Sequence, residues 1–117
     1  MSADFDEAFR VLRPLLLAHA DGLRVTRDAP GDLVVRTPDV DAKGEPGWFG
    51  TVTAKKSYVA VHLLPLYDHP ALAEDLSPGL TRRRQGKTCF NFKRVEPELF
   101  EELSELMARV RRMVDAA

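Results

Sequence analysis

The segment RRRQGKT at positions 82–88 carries the strongest chemical signal in the sequence. Guanidinium groups bind phosphate and carboxylate through paired hydrogen bonds, and glycine lets a backbone adopt conformations that other residues avoid. The segment therefore indicates an anion-binding site. A solvated basic connector, with its arginines paired to acidic helix surfaces, explains the same pattern and is the favoured interpretation of the segment taken alone. The cationic side chains concerned are Arg82, Arg83, Arg84 and Lys87.

The Gly-Lys-Thr triplet within this segment resembles the end of a phosphate-binding P-loop, and we reject that interpretation. A P-loop needs another glycine where this sequence has Thr81, and it must open a helix. The residues after the triplet predict a strand instead. Gly86 is better explained by a turn that directs the chain into that strand.

A second group of polar residues lies on two predicted strands. Tyr58 and His62 share one face of a strand over 58–64, and Cys89 and Asn91 share one face of a strand over 88–92. If the strands are neighbours, these four side chains line a polar pocket. A cysteine beside a histidine can act as a nucleophile when the imidazole lowers the thiol pKa. A lone cysteine is more often a small buried apolar residue, so we expect no catalysis here.

Hydrophobic spacing predicts a helix at each end of the chain. Apolar residues at three- and four-residue steps predict the first helix from about Asp4 to Ala20, with a kink or division at Pro14 and a stop at Gly22. The last helix begins near Pro97, a residue favoured in a first helical turn. Its expected buried stripe is Leu99, Leu103, Leu106, Val110 and Val114.

Between these helices the pattern predicts short strands separated by turns. We expect strands over 23–26, 33–37, 48–54, 58–64 and 88–92, a loop over 38–47, a short helix over 69–76 capped by Asp68, and a basic connector over 80–86. The expected fold class is α+β. One curved antiparallel sheet of about five strands would carry both terminal helices mainly on one face.

The central and C-terminal parts of the chain resemble a known family. The pieces SYVAVHLLPLY, LSPGLTRRRQGKTCFNF and VEPELFEEL are similar to the YdhG-like superfamily of small bacterial domains of unknown function. The resemblance extends over nearly the whole chain and implies a compact α+β domain with a curved antiparallel sheet. Some relatives are linked to iron handling. The acidic helix residues here are explained by capping and solubility, so we expect no metal site and no cofactor.

Composition limits the classes of protein. Lys plus Arg (17) nearly balances Asp plus Glu (18), and this balance disfavours a protein that coats nucleic acid. The apolar runs are too short to span a bilayer, and the first residues lack the pattern of a secretory signal. Cys89 is the only cysteine, which excludes an internal disulfide. We expect one domain over residues 1–117 in the cytoplasm.

The local charge favours a binding function. Residues 46–94 hold eight bases and three acids, whereas the segments on either side are net acidic. We expect a non-catalytic module that binds an anionic small molecule or an acidic protein, as a monomer or homodimer. One alternative is self-association through apolar residues of an uncovered sheet face, such as Tyr58 or Leu64. The other is an enzyme that uses Cys89 with His62.

Overall fold

Helices lie at both ends of the described chain, with an antiparallel sheet between them. The computed structural model describes residues 3–40 and 46–116, and side chains within 6–38 and 47–115. The elements are α1 (Ala3–Leu17), β1 (Arg24–Ala29), β2 (Asp32–Val40), β3 (Pro46–Ala54), β4 (Val59–Leu63), two 3-10 helices (Leu64–Tyr67 and Pro70–Ala73), α2 (Pro78–Arg83), β5 (Arg84–Gln85), β6 (Cys89–Phe92) and α3 (Pro97–Ala116).

The strands follow the order β1-β2-β3-β4-β6-β5, and each neighbouring pair is antiparallel. β4 lies in the interior of this order, as its apolar residues on both faces predict. Its inward side chains Val59, Val61 and Leu63 are fully buried in a core shared with α1 and α3. The predicted α+β fold is confirmed, with six strands in the described residues instead of about five.

One hydrophobic core joins the inner sheet face to the terminal helices. The apolar stripe of α1 enters this core at helical spacing, and so does the stripe of α3. The rings of Phe92 on β6 and Phe100 on α3 meet edge to face, with centroids 4.9 Å apart. The fully buried residues of α1 and α3 are Ala8, Leu12, Leu16, Leu103, Leu106, Met107 and Val110.

The first helix is continuous through Pro14 and ends at Leu17, before the predicted Ala20. Pro14 lies on the exposed side, about one turn from the end, so its missing N–H and its ring do not disturb the packed face. Its carbonyl still accepts a hydrogen bond from the Ala18 amide at 2.9 Å. Gly22 adopts φ +79° after the helix, which suits a glycine at a chain reversal.

Three other local predictions need correction. The helix predicted over 69–76 is only the 3-10 helix Pro70–Ala73, and its cap position is His69, not Asp68, without a side-chain hydrogen bond. Leu64 begins a 3-10 helix because Pro65 cannot donate to a strand neighbour. The loop predicted over 38–47 is partly strand, since β2 extends to Val40 and β3 begins at Pro46. Residues 41–45 of that prediction lie outside the described chain.

The core packing predicts a large cost for truncating Phe92. Phe92→Ala removes a fully buried ring and leaves a cavity beside Phe100, so we expect a loss of about 3–5 kcal/mol in the free energy of unfolding. Urea denaturation measures this loss. Val11→Ala, at a side chain that is 38% exposed, is the control and should cost less than about 1 kcal/mol. Equal losses in both variants would contradict the packing.

Two histidines predict how stability depends on pH. Burial and nearby Arg111 lower the pKa of His19, whose Nε2 lies 2.9 Å from Ser104 Oγ, and burial and Lys55 lower the pKa of His62. The unfolded chain therefore binds these protons at a higher pH than the folded chain, and stability falls as pH drops through about 6.5. We expect the melting temperature to decrease as the pH is lowered from 8 to 5. His19→Gln/His62→Gln should flatten this decrease, and an unchanged slope would refute the assignment.

Candidate functional site

A cavity of about 390 Å³ opens where α2 and β5 meet the end of β6. We call it the basic cavity, because four of its lining side chains are cationic and one is a carboxylate. Two amides and a phenol complete its wall. The cationic residues are Arg82, Arg83, Lys93 and Arg94; the others are Glu96, Gln85, Asn91 and Tyr58.

The N-terminus of α2 holds one wall of the basic cavity in place. Ser77 Oγ accepts a hydrogen bond from the Leu80 amide at 3.2 Å and so caps this short helix. Glu102 of α3 accepts hydrogen bonds from the amide of Ser77 at 2.7 Å and from its hydroxyl at 2.5 Å. Leu80 is fully buried, so α2 has a fixed inner side, and Arg82 and Arg83 in its last turn extend to the cavity.

A tight chain reversal supplies the opposite wall. Gly86 has φ +71°, a conformation that costs energy for residues with a side chain, and it turns β5 back along β6. In the resulting register Gln85 lies opposite Cys89. Continuing the chain past β6 brings Lys93 and Arg94 to the level of α2. The basic connector predicted over 80–86 is therefore a helix, a short strand and a turn.

Among the residues that the structure describes, Arg83 is the one cation of the cavity with a fixed carboxylate partner. Its Nε and Nη2 donate to the two carboxylate oxygens of Glu96 at 2.8 and 2.6 Å, a bidentate pair. These hydrogen bonds lower the pKa of Glu96 and raise the pKa of Arg83. The Arg83 side chain is 39% exposed, so the pair contributes about 1 kcal/mol or less to stability.

The other three cations of the basic cavity lack such a partner. Within the described residues, no carboxylate lies in salt-bridge distance of Arg82, Lys93 or Arg94. All three are exposed. Their side chains can turn toward a bound anion without breaking an existing ion pair. Amide N–H groups and a phenol O–H beside them are further donors for the oxygens of a phosphate or carboxylate.

Two of the predicted anion ligands, Arg84 and Lys87, do not line the basic cavity. Arg84 Nη2 donates to the backbone carbonyl of Lys87 at 2.8 Å, across the turn at Gly86. The Lys87 ammonium lies 4.9 Å from the centre of the Tyr67 ring, a cation–π contact. The alternation of side chains along β5 separates Arg84 from its neighbours in sequence. Both residues have local structural partners instead.

The predicted polar group divides between the cavity and the sheet face beside it. Tyr58 and Asn91 line the basic cavity, whereas Cys89 and His62 lie opposite each other on β6 and β4. The Cys89 thiol donates to Asn91 Oδ1 at 3.1 Å, and His62 Nδ1 lies 3.3 Å from Thr88 Oγ1.

Burial disfavours the charged forms of both Cys89 and His62. Burial raises the pKa of the Cys89 thiol, and burial and Lys55 lower the pKa of His62. Both shifts favour neutral groups near pH 7, whereas a nucleophilic pair needs a thiolate beside an imidazolium.

Half of the residues that line the basic cavity are not among the ligands that the sequence predicts. They are Gln85, Lys93, Arg94 and Glu96. Lys93 and Arg94 stand out as basic residues, but they follow a strand and are distant in sequence from Arg82. In the sequence, Glu96 directly precedes Pro97 and is one of several acidic residues near the start of the last helix. The sequence feature that could have placed Lys93 and Arg94 near Arg82 is the hairpin centred on Gly86. Its two arms bring residues before β5 close to residues after β6.

Comparison of the chain with protein-family models, curated proteins and solved structures finds no match. In the described part of the chain, no helix is long and apolar enough to cross a membrane. The same residues contain no group of three or more histidine, cysteine or acidic side chains that could hold a metal ion.

The environment of Cys89 predicts a slow thiol. We expect Cys89 in the folded protein to react with an aromatic disulfide reagent at pH 8 at least about tenfold more slowly than in the urea-unfolded chain, because burial disfavours the thiolate. Absorbance of the released thiol measures both rates. Faster reaction in the folded protein would show an activated cysteine and favour the enzyme alternative.

Proposed function

We propose that the protein is a non-catalytic binding module for small molecules that carry a phosphate or carboxylate group, bound in the basic cavity. The observation that carries this proposal is the excess of cationic charge around one concave site, where a single carboxylate, Glu96, faces four cations. Crowded like charges repel one another, and a bound anion relieves this repulsion.

The size of the cavity suits a small ligand. At about 390 Å³ it falls within the range of ordinary small-molecule sites. Its amide and phenol groups can orient a ligand, which a purely electrostatic contact with another protein does not require. An acidic protein segment that inserts into the cavity is the alternative ligand.

Self-association is a second candidate. Of its two predicted residues, Tyr58 lines the basic cavity, whereas the partly buried Leu64 lines the same cavity as Trp48 and Tyr67. Trp48 and Tyr67 are 45% and 64% exposed, and they line a separate cavity of about 440 Å³. Arg36 lies 3.8 Å from the Trp48 ring centre, which gives this aromatic surface a basic rim.

Family, location and cofactor content are proposed from the sequence alone. Membership of the YdhG-like superfamily, a cytoplasmic location and the absence of a resident cofactor come from the resemblance and the composition. Nucleic acid is disfavoured as the ligand because the total charge is nearly balanced. The oligomeric state is proposed as monomer or homodimer.

Pyrophosphate provides a direct test of the proposed site. We expect wild-type protein to bind it in isothermal titration calorimetry at low salt, and Arg82→Gln/Lys93→Gln to bind about tenfold more weakly through loss of two charge-assisted contacts. Added salt should weaken binding to the wild type.

The control variant for this titration removes two exposed cations outside the cavity, Lys56→Gln/Arg24→Gln. It changes the net charge equally and should keep nearly full affinity. If both variants lose the same affinity, the binding reflects net charge and not the basic cavity. Absence of pyrophosphate binding to the wild type would reject the proposed function.

A further inference from the structure

We propose that Glu96 determines the selectivity of the basic cavity, so that it favours anionic ligands which also carry a hydroxyl or amino group beside the anion. This inference rests on the proposed function and names the class of ligand more closely. Its basis is the position of a carboxylate in the wall of an otherwise cationic site.

Glu96 competes with a bound anion for the guanidinium of Arg83. Arg83 is held through two parallel hydrogen bonds to Glu96, whereas the other cavity cations are exposed and have no fixed carboxylate partner in the described chain. A phosphate or carboxylate ligand must either displace Glu96 from Arg83 or bind beside it. The negative charge of Glu96 opposes both arrangements.

A ligand with a hydrogen-bond donor avoids this penalty. A carboxylate has about four lone-pair positions, and Arg83 uses one on each oxygen of Glu96. Each oxygen can therefore accept a further hydrogen bond while the pair stays intact. A hydroxyl or ammonium group of the ligand can donate to Glu96 while the anionic group contacts Arg82, Lys93 or Arg94.

The backbone fixes Glu96 at this position independently of any ligand. Its carbonyl accepts the first-turn hydrogen bond from the Phe100 amide at 2.8 Å, next to the start of α3 at Pro97. Phe100 is almost fully buried against Phe92. The carboxylate is thus presented by a rigid helix start, and the selectivity it imposes does not require a moving loop.

The test compares two phosphate esters of similar size and the same charge, glycerol 3-phosphate and propyl phosphate, which differ in hydroxyl groups. We expect calorimetry to show tighter binding of glycerol 3-phosphate by the wild type, about fivefold or more, because hydroxyl donation to a carboxylate is charge-assisted. Glu96→Gln should strengthen propyl phosphate binding about five- to tenfold and reduce the preference between the two esters.

Two further variants make the result specific. Glu98→Gln removes an equal charge two residues away, at an exposed position of α3 outside the cavity, and should change neither affinity more than about twofold. Arg83→Gln leaves Glu96 without its partner. It should weaken propyl phosphate binding more than glycerol 3-phosphate binding and so increase the preference.

The outcomes separate this inference from the proposed function. If both esters bind the wild type with equal affinity, and Glu96→Gln leaves the ratio unchanged, Glu96 does not set selectivity although the cavity still binds anions. If neither ester nor pyrophosphate binds the wild type, the proposed function fails as well. A changed ratio in Glu96→Gln with an unchanged ratio in Glu98→Gln supports the inference.

Discussion

Burial of Phe90 and Phe92 against the helical layer is the constraint on which the basic end of the molecule depends. Both rings are fully buried, and Phe92 meets Phe100 of α3. Because side chains alternate along a strand, burying these two residues places Cys89 and Asn91 on the opposite face. A shift of one residue in this strand would bury two polar groups and expose two aromatic rings, so the register of β6 is strongly fixed.

The charges of the basic cavity follow from that register. With β6 fixed, the turn at Gly86 brings β5 alongside it, and Lys93 and Arg94 emerge near the end of α2. The hydrophobic core stabilises an arrangement of like charges that is unfavourable by itself. The pair between Arg83 and Glu96 offsets part of the repulsion. Under the proposed function, a bound anion would offset the rest.

The face of β6 that points away from the core carries Cys89, and His62 lies beside it on β4. His62 and Cys89 are cross-strand neighbours, as an enzyme hypothesis requires. Their partners, however, are Thr88 and Asn91, and burial favours the neutral form of both groups. Nucleophilic catalysis by such a pair needs the thiolate, the form that burial disfavours at Cys89.

Apolar spacing in the sequence is enough to predict the elements whose burial repeats at a regular period. The stripes of α1 and α3, the interior position of β4 and the alternation in β6 all follow from apolar spacing, because each buried face must meet a common core. Which basic residues share a cavity depends on how those elements pack together. Arg82 and Arg84 are close in sequence, yet a helix end and a strand direct them differently, while Lys93 joins the site through a hairpin. The spacing of long cationic side chains along the sequence does not show where their charged ends point. Their contacts depend on the packing around them.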